Sequence, residues 1–264
     1  MDAFSQSRHE FFSKHVSKYE KGIEIGPSYR PTFPKKDEWN IFIVDTMDKQ
    51  DLIKKYQDDE NITNSMIDSI EDVDLVWNGS SDLKASMTTE VDFVIACHVI
   101  EHQVCLITFL NMTERLTSEA GLLFLAIPHR ELMFDYYRNE STISDALSAY
   151  FFTDAHNLRM RLDEILLTAL LENRNSWDSE FSKMSALNNK HPRKINTGEQ
   201  LIELLKNTIN SPNEASYVDR HRWVFSPDTF SILIQQLFDL GLSSWKVSDI
   251  TLGVDCEFLV VLKK

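Results

Sequence analysis

Residues 91 to 102 read VDFVIACHVIEH, seven mostly apolar positions that end abruptly in a cluster of histidine and glutamate. A short apolar run without strict alternation is how a strand covered on both faces of a parallel sheet reads. Runs of the same kind lie on either side: KGIEIG (21–26), NIFIVD (40–45) and VDLVWNG (73–79) before it, GLLFLAIP (121–128) after it. Between them, DKQDLIKKYQDD (48–59) and LITFLNMTERLTSEA (106–120) have helical composition. Strand and helix in alternation predict an open, mostly parallel α/β sheet.

The rest of the chain fits around that frame. Phe4, Phe11, Phe12, Val16 and Tyr19 recur at helical spacing and predict a helix over 2–20 that lies on the core. From 129 to 220 the pattern turns to long polar helical stretches such as RLDEILLTALLENRN and TGEQLIELLKNTIN, read as an insertion. The sheet pattern returns with SPDTFSILIQQLFDLGL, where Ser226 and Pro227 suit the N-cap and first turn of a helix, then SSWKVSDITL and CEFLVVLKK. The expected organisation is 1–128 as the first part of one α/β domain, 129–220 as a helical insertion on the acceptor side, and 221–264 as the second part of the domain.

Composition limits the function. Of 264 residues, 42% are hydrophobic, ordinary for a globular chain, and no apolar stretch approaches the ~18 residues needed to span a bilayer. The formal net charge of −14 opposes binding to a phosphate backbone, so nucleic acid is not expected as substrate. Three cysteines without C-x-x-C spacing support neither a disulfide framework nor a cysteine metal site, and with no leader-like N-terminus they predict a cytoplasmic protein.

The turn after the first strand reads Glu24-Ile25-Gly26-Pro27-Ser28. In open α/β sheets ligands bind beyond the carboxyl ends of the strands, and a dinucleotide would want G-x-G-x-x-G at this turn. One glycine is present, and Pro27 removes an amide where a pyrophosphate would need one. Asp45 ends the second strand nineteen positions after Gly26, near the offset at which an acid binds ribose hydroxyls. The turn therefore disfavours a dinucleotide and permits a nucleoside-like cofactor; Asp45 either binds ribose or caps the next helix.

His98-Val99-Ile100-Glu101-His102 also matches the H-x-x-E-H pattern of one class of zinc peptidases. That chemistry needs both histidines on one helical face, a third protein ligand and an open position for water. The motif sits instead at the mouth of a strand, and only Glu164 and Glu172 offer themselves as a third ligand, on the strength of being acidic and helical. No metal is assigned. His102 equally suits packing against the following helix, whereas His98 is the first residue beyond the strand and faces the ligand crevice.

Taken in order, IEIGPSYRP, NIFIVDTMDKQDL, VDLVWNG, DFVIACHVIEH, GLLFLAIPHRELMFDYYR, DRHRWVFSPDTF and EFLVVLKK cover nearly the whole chain. This set resembles the class I S-adenosylmethionine-dependent methyltransferases, in particular those of bacterial polysaccharide and glycan gene clusters. The resemblance implies a Rossmann-like sheet whose last strand is antiparallel, S-adenosylmethionine as cofactor, and methyl transfer to a hydroxyl of a sugar or glycan. It implies Glu24, Gly26, Pro27 and Ser28 at the methionine end, Asp45 at the ribose, Thr46 beside the adenine, Asn78 and Gly79 at the adenine edge, and Ala96, Cys97 and His98 around the sulfonium. Where relatives continue after the second histidine with proline and an acidic or amide residue, this chain has Gln103-Val104-Cys105, which changes the acceptor side.

A neutral hydroxyl needs a base, and His98 or His102 suits that role, with Glu101 orienting an imidazole or facing solvent. A second polar cluster, His129, Arg130, Asp135, Tyr136, Tyr137 and Arg138, suits either a hydroxyl-rich acceptor, with Asp135 joining the catalytic groups, or ordinary surface ion pairs. Asp219-Arg220-His221-Arg222-Trp223 is placed to close the same pocket. The rivals are a small-molecule methyltransferase, a zinc hydrolase, and a noncatalytic partner with the same fold.

Overall fold

The computed structural model describes residues 2–77, 83–87, 90–210 and 220–264. Helix α1 (Ala3–Phe12) precedes strand β1 (Gly22–Ile25); β2 (Ile41–Asp45), α2 (Lys49–Tyr56), the short α3 (Asn64–Ile67) and β3 (Leu75–Val76) follow. Next come β4 (Val91–Cys97), a three-ten turn Ile100–His102, α4 (Leu106–Leu116) and β5 (Thr117–Pro128). The region 129–220 holds α5 (Ile143–Phe151), α6 (Thr153–Leu167), β6 (Ala169–Leu170), α7 (Ser179–Leu187), β7 (Arg193–Lys194) and α8 (Gly198–Asn210). The chain ends with α9 (Pro227–Asp239), β8 (Lys246–Leu252) and β9 (Glu257–Lys263).

The main sheet has seven strands in the order β3-β2-β1-β4-β5-β9-β8. The strands β1 to β5 pair in parallel, while β9 runs antiparallel to both β5 and β8. This is the Rossmann-like arrangement with an antiparallel last strand that the resemblance implies. The strand order reverses between β1 and β4, the switch point at which such sheets open a crevice.

Alternating side chains of each central strand feed two cores. Val94 and Ala96 join Leu123, Leu125, Val260 and the inner faces of α4 and α9 on one side. Phe93, Ile95 and Cys97 join Phe11, Phe12, Phe124, Leu259 and Val261 on the other. Burial on both faces is what made these strands read as continuous apolar runs rather than alternating ones.

Three boundaries differ from the sequence reading. Helix α1 ends at Phe12: Val16 still reaches the core, but the Ser17 amide donates to Glu20 in a turn and Tyr19 stands 93% exposed. Helix α4 ends at Leu116, because Thr117 leaves the helix to pair with Val91 and its hydroxyl donates back to the Thr113 and Glu114 carbonyls. The region 129–220 is not purely helical, since β6 and β7 form an antiparallel ribbon with Ala169 opposite Lys194. Among the described residues no helix is long and apolar enough to cross a membrane.

Candidate functional site

The crevice begins at the tip of β1. Gly26 turns the chain with φ +65, and its amide is already committed to the Val44 carbonyl at 2.7 Å. A β-carbon there would stand 3.1 Å from Val99 Cγ2, so the first loop and the turn after β4 nearly touch. Pro27 has no amide to give, and Ser28, also left-handed at φ 52, donates its amide to Asp45 Oδ2 at 3.0 Å. The loop thus offers no fan of amides of the kind a pyrophosphate requires.

Asp45 closes the other side of this loop. Its second oxygen accepts from the Thr46 amide at 2.7 Å, and burial pushes its carboxyl above the ordinary aspartate value. Glu24 does not open into the crevice. Its carboxylate is fully buried behind the loop, accepts from the Thr32 amide at 2.8 Å and, more weakly, from Phe33, and is pushed up to about 7 by burial. It holds the loop's far end, behind the crevice at whose methionine end the resemblance expects it. Asn78 and Gly79 lie outside the described residues.

At the tip of β4, Ala96 is fully buried and Cys97 sits against Thr32 at 3.6 Å, its thiol pushed up to about 12 by burial. His98 leaves the strand with φ 52 and keeps 31% of its side chain exposed. Its Nε2 lies 2.8 Å from Glu257 Oε2, and Arg8 grips the same carboxylate through Nε at 3.1 Å and Nη2 at 2.6 Å. Burial works to raise the Glu257 carboxyl, but the His98 hydrogen bond and the Arg8 charge outweigh it and hold the group below its ordinary value. Neither Arg8 nor Glu257 was singled out from the sequence. The only signal was an acid heading the otherwise apolar strand EFLVVLKK.

The H-x-x-E-H segment is not a helix face. After His98 the chain makes the three-ten turn Ile100–His102, and this turn is pinned by the segment before α9. The amides of Arg222 and Trp223 both donate to the Glu101 carbonyl, at 2.7 and 3.1 Å, while the Trp223 indole donates to the Gln103 carbonyl at 2.6 Å. That strap carries His221 against His102, with ring centres 4.9 Å apart. Asp135 joins them from beyond β5, with His221 Nδ1 2.6 Å from Oδ2 and Arg138 Nη1 donating to Oδ1 at 2.7 Å. Burial would raise the Asp135 carboxyl, but His221 and Arg138 together hold it low.

Two of the expected site residues are enclosed. Arg138, expected to face the acceptor, is 1% exposed with its guanidinium on Asp135 and Met160 Sδ, so it has no surface to offer. Asp135, expected among the catalytic groups, is equally enclosed, with its carboxylate shared between His221 and Arg138. Glu164, weighed as a metal ligand, accepts from Arg220 at 2.8 Å. His129, Arg130 and Tyr136 remain half-buried at the end of β5, where His129 Nδ1 accepts from the Glu131 amide and Arg130 donates to the Tyr136 carbonyl.

No family model matches the chain, and no curated protein matches it. Solved structures that it resembles include a SAM-dependent methyltransferase from Methanosarcina mazei, at 9% identity over 96% of each chain with a TM-score of 0.44. Another is the Burkholderia thailandensis 1,6-didemethyltoxoflavin-N1-methyltransferase with bound S-adenosylhomocysteine, at 9% identity over 99% of this chain and 78% of that one, TM-score 0.47. A third is the glycopeptide N-methyltransferase MtfA complexed with S-adenosylhomocysteine, at 13% identity over 100% and 90%, TM-score 0.43. At these scores and identities the likenesses carry no argument about activity, which has to come from the crevice itself.

Proposed function

We propose that the chain is an S-adenosylmethionine-dependent methyltransferase acting on an oxygen, a hydroxyl of a sugar or glycan. The observation that carries the reading is the crevice at the switch point, with one left-handed glycine and no phosphate cradle at β1, an acid at the tip of β2 and an imidazole at the tip of β4. This set suits a nucleoside without phosphates. Asp45 has taken two backbone amides, and a carboxylate has about four lone-pair positions, so acceptor capacity remains for ribose hydroxyls. When bound, the cofactor supplies a methyl group on a positive sulfur, open to direct displacement.

The chain's own residues then have two tasks. One is positioning, which can supply about 7–11 kcal/mol of the barrier. The other is taking the hydroxyl proton as the new C–O bond forms and the S–CH3 bond breaks. His98 is suited to it: Glu257 is an acceptor, so Nε2 carries the hydrogen and Nδ1 is the proton's destination. Of the second cluster His129, Arg130, Tyr136 and the exposed Tyr137 keep surface to meet an acceptor, and the region 129–220 shapes that side.

Calorimetric titration with S-adenosylmethionine and S-adenosylhomocysteine tests the cofactor half. Saturable binding is expected, weakened about tenfold or more in Asp45→Ala through loss of the ribose hydrogen bonds; a folded Asp45→Ala chain with unchanged affinity removes the assignment. With a sugar acceptor found by screening, His98→Ala should bind cofactor normally and lose about 10²–10⁴ in turnover. Full turnover would move the base elsewhere.

A further inference from the structure

His98 leaves β4 in the left-handed region at φ 52, a conformation that a histidine keeps only where its surroundings enforce it. Its amide donates to the Ala126 carbonyl at 2.9 Å, and the next residues lead into the three-ten turn Ile100–His102. A turn this short leaves its last carbonyls without partners of its own. The strap before α9 meets them. The Glu101 carbonyl accepts from the amides of Arg222 and Trp223, the His102 carbonyl from Arg222 Nη1 at 2.9 Å, and the Gln103 carbonyl from the Trp223 indole at 2.6 Å.

The same two residues are fastened on their other side to helix α6. Arg222 Nε donates to Asn157 Oδ1 at 3.2 Å, and the Trp223 ring stacks on His156 with centres 4.6 Å apart. Both side chains are buried. Beyond them the strap stays on the region 129–220. The Val224 amide donates to Ser141 Oγ at 3.0 Å while its carbonyl accepts from the Ser141 amide at 2.8 Å, and the Phe225 carbonyl accepts from the Arg130 amide at 2.8 Å.

We propose that Arg222 and Trp223 are positioning residues, which fix the turn that carries His98 and set its distance from the acceptor side. What His98 does with a proton rests on the methyl-transfer reading; how His98 is placed rests on the hydrogen bonds alone.

The polar atoms of the two side chains argue for placement beyond packing. A phenylalanine would fill the space against His156, but only an indole carries a donor to the Gln103 carbonyl. The Arg222 fork reaches the turn with one nitrogen and α6 with another, so a shift of either is felt by the other. His98 is then held twice, its ring by Glu257 at 2.8 Å and its backbone by the strap. A left-handed residue relaxes when its support is removed, so His98 is expected to move before the sheet beneath it does. Displacing a reacting group by about 1 Å can cost about 10²-fold in rate.

The test uses the full-length chain and three substitutions. Trp223→Phe keeps the ring and removes the indole donor, Arg222→Met keeps the aliphatic stem and removes the guanidinium, and Arg222→Lys restores a charged donor. Each is compared with wild type for S-adenosylmethionine affinity by calorimetry and for kcat and KM with a sugar acceptor. The ring nitrogen signals of His98 are followed by NMR on chain labelled with ¹⁵N-histidine and assigned by their loss in His98→Ala. Unchanged cofactor affinity and acceptor KM are expected, with kcat lower by about tenfold in Trp223→Phe and by about 10²-fold when Arg222→Met is added. Arg222→Lys should keep most of the kcat that Arg222→Met loses. The His98 signals should move in Trp223→Phe and Arg222→Met, while those of His9 on α1 stay in place. Folding is checked by thermal melting, and a double variant that does not fold is replaced by the single ones, read in the same way. Wild-type kcat with unmoved His98 signals in the folded variants overturns the proposal and leaves the strap as a fastening, however far the melting temperature falls. A loss of kcat shared in full by Arg222→Lys, with unmoved His98 signals, overturns it too. If the wild type binds no cofactor, the methyl-transfer reading falls and the His98 signals alone decide the placement.

Discussion

Two buried titratable side chains give this protein a pH signature that single substitutions isolate. Glu24, raised by burial to about 7 from an ordinary 4.5, keeps its proton in the folded chain over a range where the unfolded chain has released it. Its contribution to stability is therefore complete below about 4.5 and is lost as pH rises through about 7, at no more than about 1.4 kcal/mol per pH unit. Glu24→Gln keeps an oxygen for the Thr32 amide, so urea unfolding at pH 5, 6, 7 and 8 should show the variant gaining on wild type as pH rises; parallel curves would mean that Glu24 does not titrate there. His156 has the opposite sign. Buried with no hydrogen bond on either ring nitrogen among the described residues and stacked on Trp223 at 4.6 Å, it is depressed by burial to about 4. Its contribution is present above 6.5 and is lost as pH falls through about 4, because the unfolded imidazole takes up the proton first. His156→Phe, which preserves the stack, should unfold at a lower pH than wild type in an acid titration followed by tryptophan fluorescence.

At the scale of elements, close approach and capping decide where the strands and helices lie. Gly22 opens β1 opposite Phe93 of β4, and a β-carbon at that position would stand 2.1 Å from the Phe93 ring. Gly22→Ala should cost about 1–3 kcal/mol in urea unfolding, as overpacked sites do, and Phe93→Leu in the same chain should recover part of it. Ser226 caps α9 by accepting from the Thr229 amide while the Thr229 hydroxyl accepts from the Ser226 amide, with Pro227 in the first turn. Ser226→Ala should lose about 1 kcal/mol. That cap was legible because its signal is local, and so was β4, whose apolar run from Val91 to Cys97 coincides with the strand. The end of α4 was not legible. Residues 117–120 have helical composition, but Thr117 pairs with Val91, and Lys264 donates to the carbonyls of Glu114, Thr117 and Ser118 at 2.7–2.9 Å. Tertiary hydrogen bonds overrode local preference at that point. The site divides in the same way: Glu101 and His102 share one motif, and His221 was read only as a pocket-closing residue because nothing local ties it to them.

For the whole molecule, the feature least legible in sequence is the one that joins its two ends. Arg8 of α1 and Glu257 of β9 are 249 positions apart, yet they form a two-pronged pair with side chains 5% and 0% exposed, and the same carboxylate holds His98 at the crevice. The pair fastens α1 across the sheet beside the Phe12–Phe124 stack, whose ring centres are 4.9 Å apart. Stability and site geometry therefore meet in one carboxylate. Removing the cation alone leaves a buried charge, which typically costs about 3–5 kcal/mol, whereas removing both charges costs far less because no charge is left stranded. Arg8→Met should accordingly destabilise strongly in urea unfolding, and the double variant Arg8→Met with Glu257→Gln should recover most of that loss. The double variant should still fall short in turnover if His98 is the proton acceptor, since a glutamine amide orients the ring without the carboxylate's charge. Equal stability of the single and double variants would show that the pair is not coupled. Wild-type turnover in the double variant would detach Glu257 from the chemistry and leave it as a fastening between the ends of the chain.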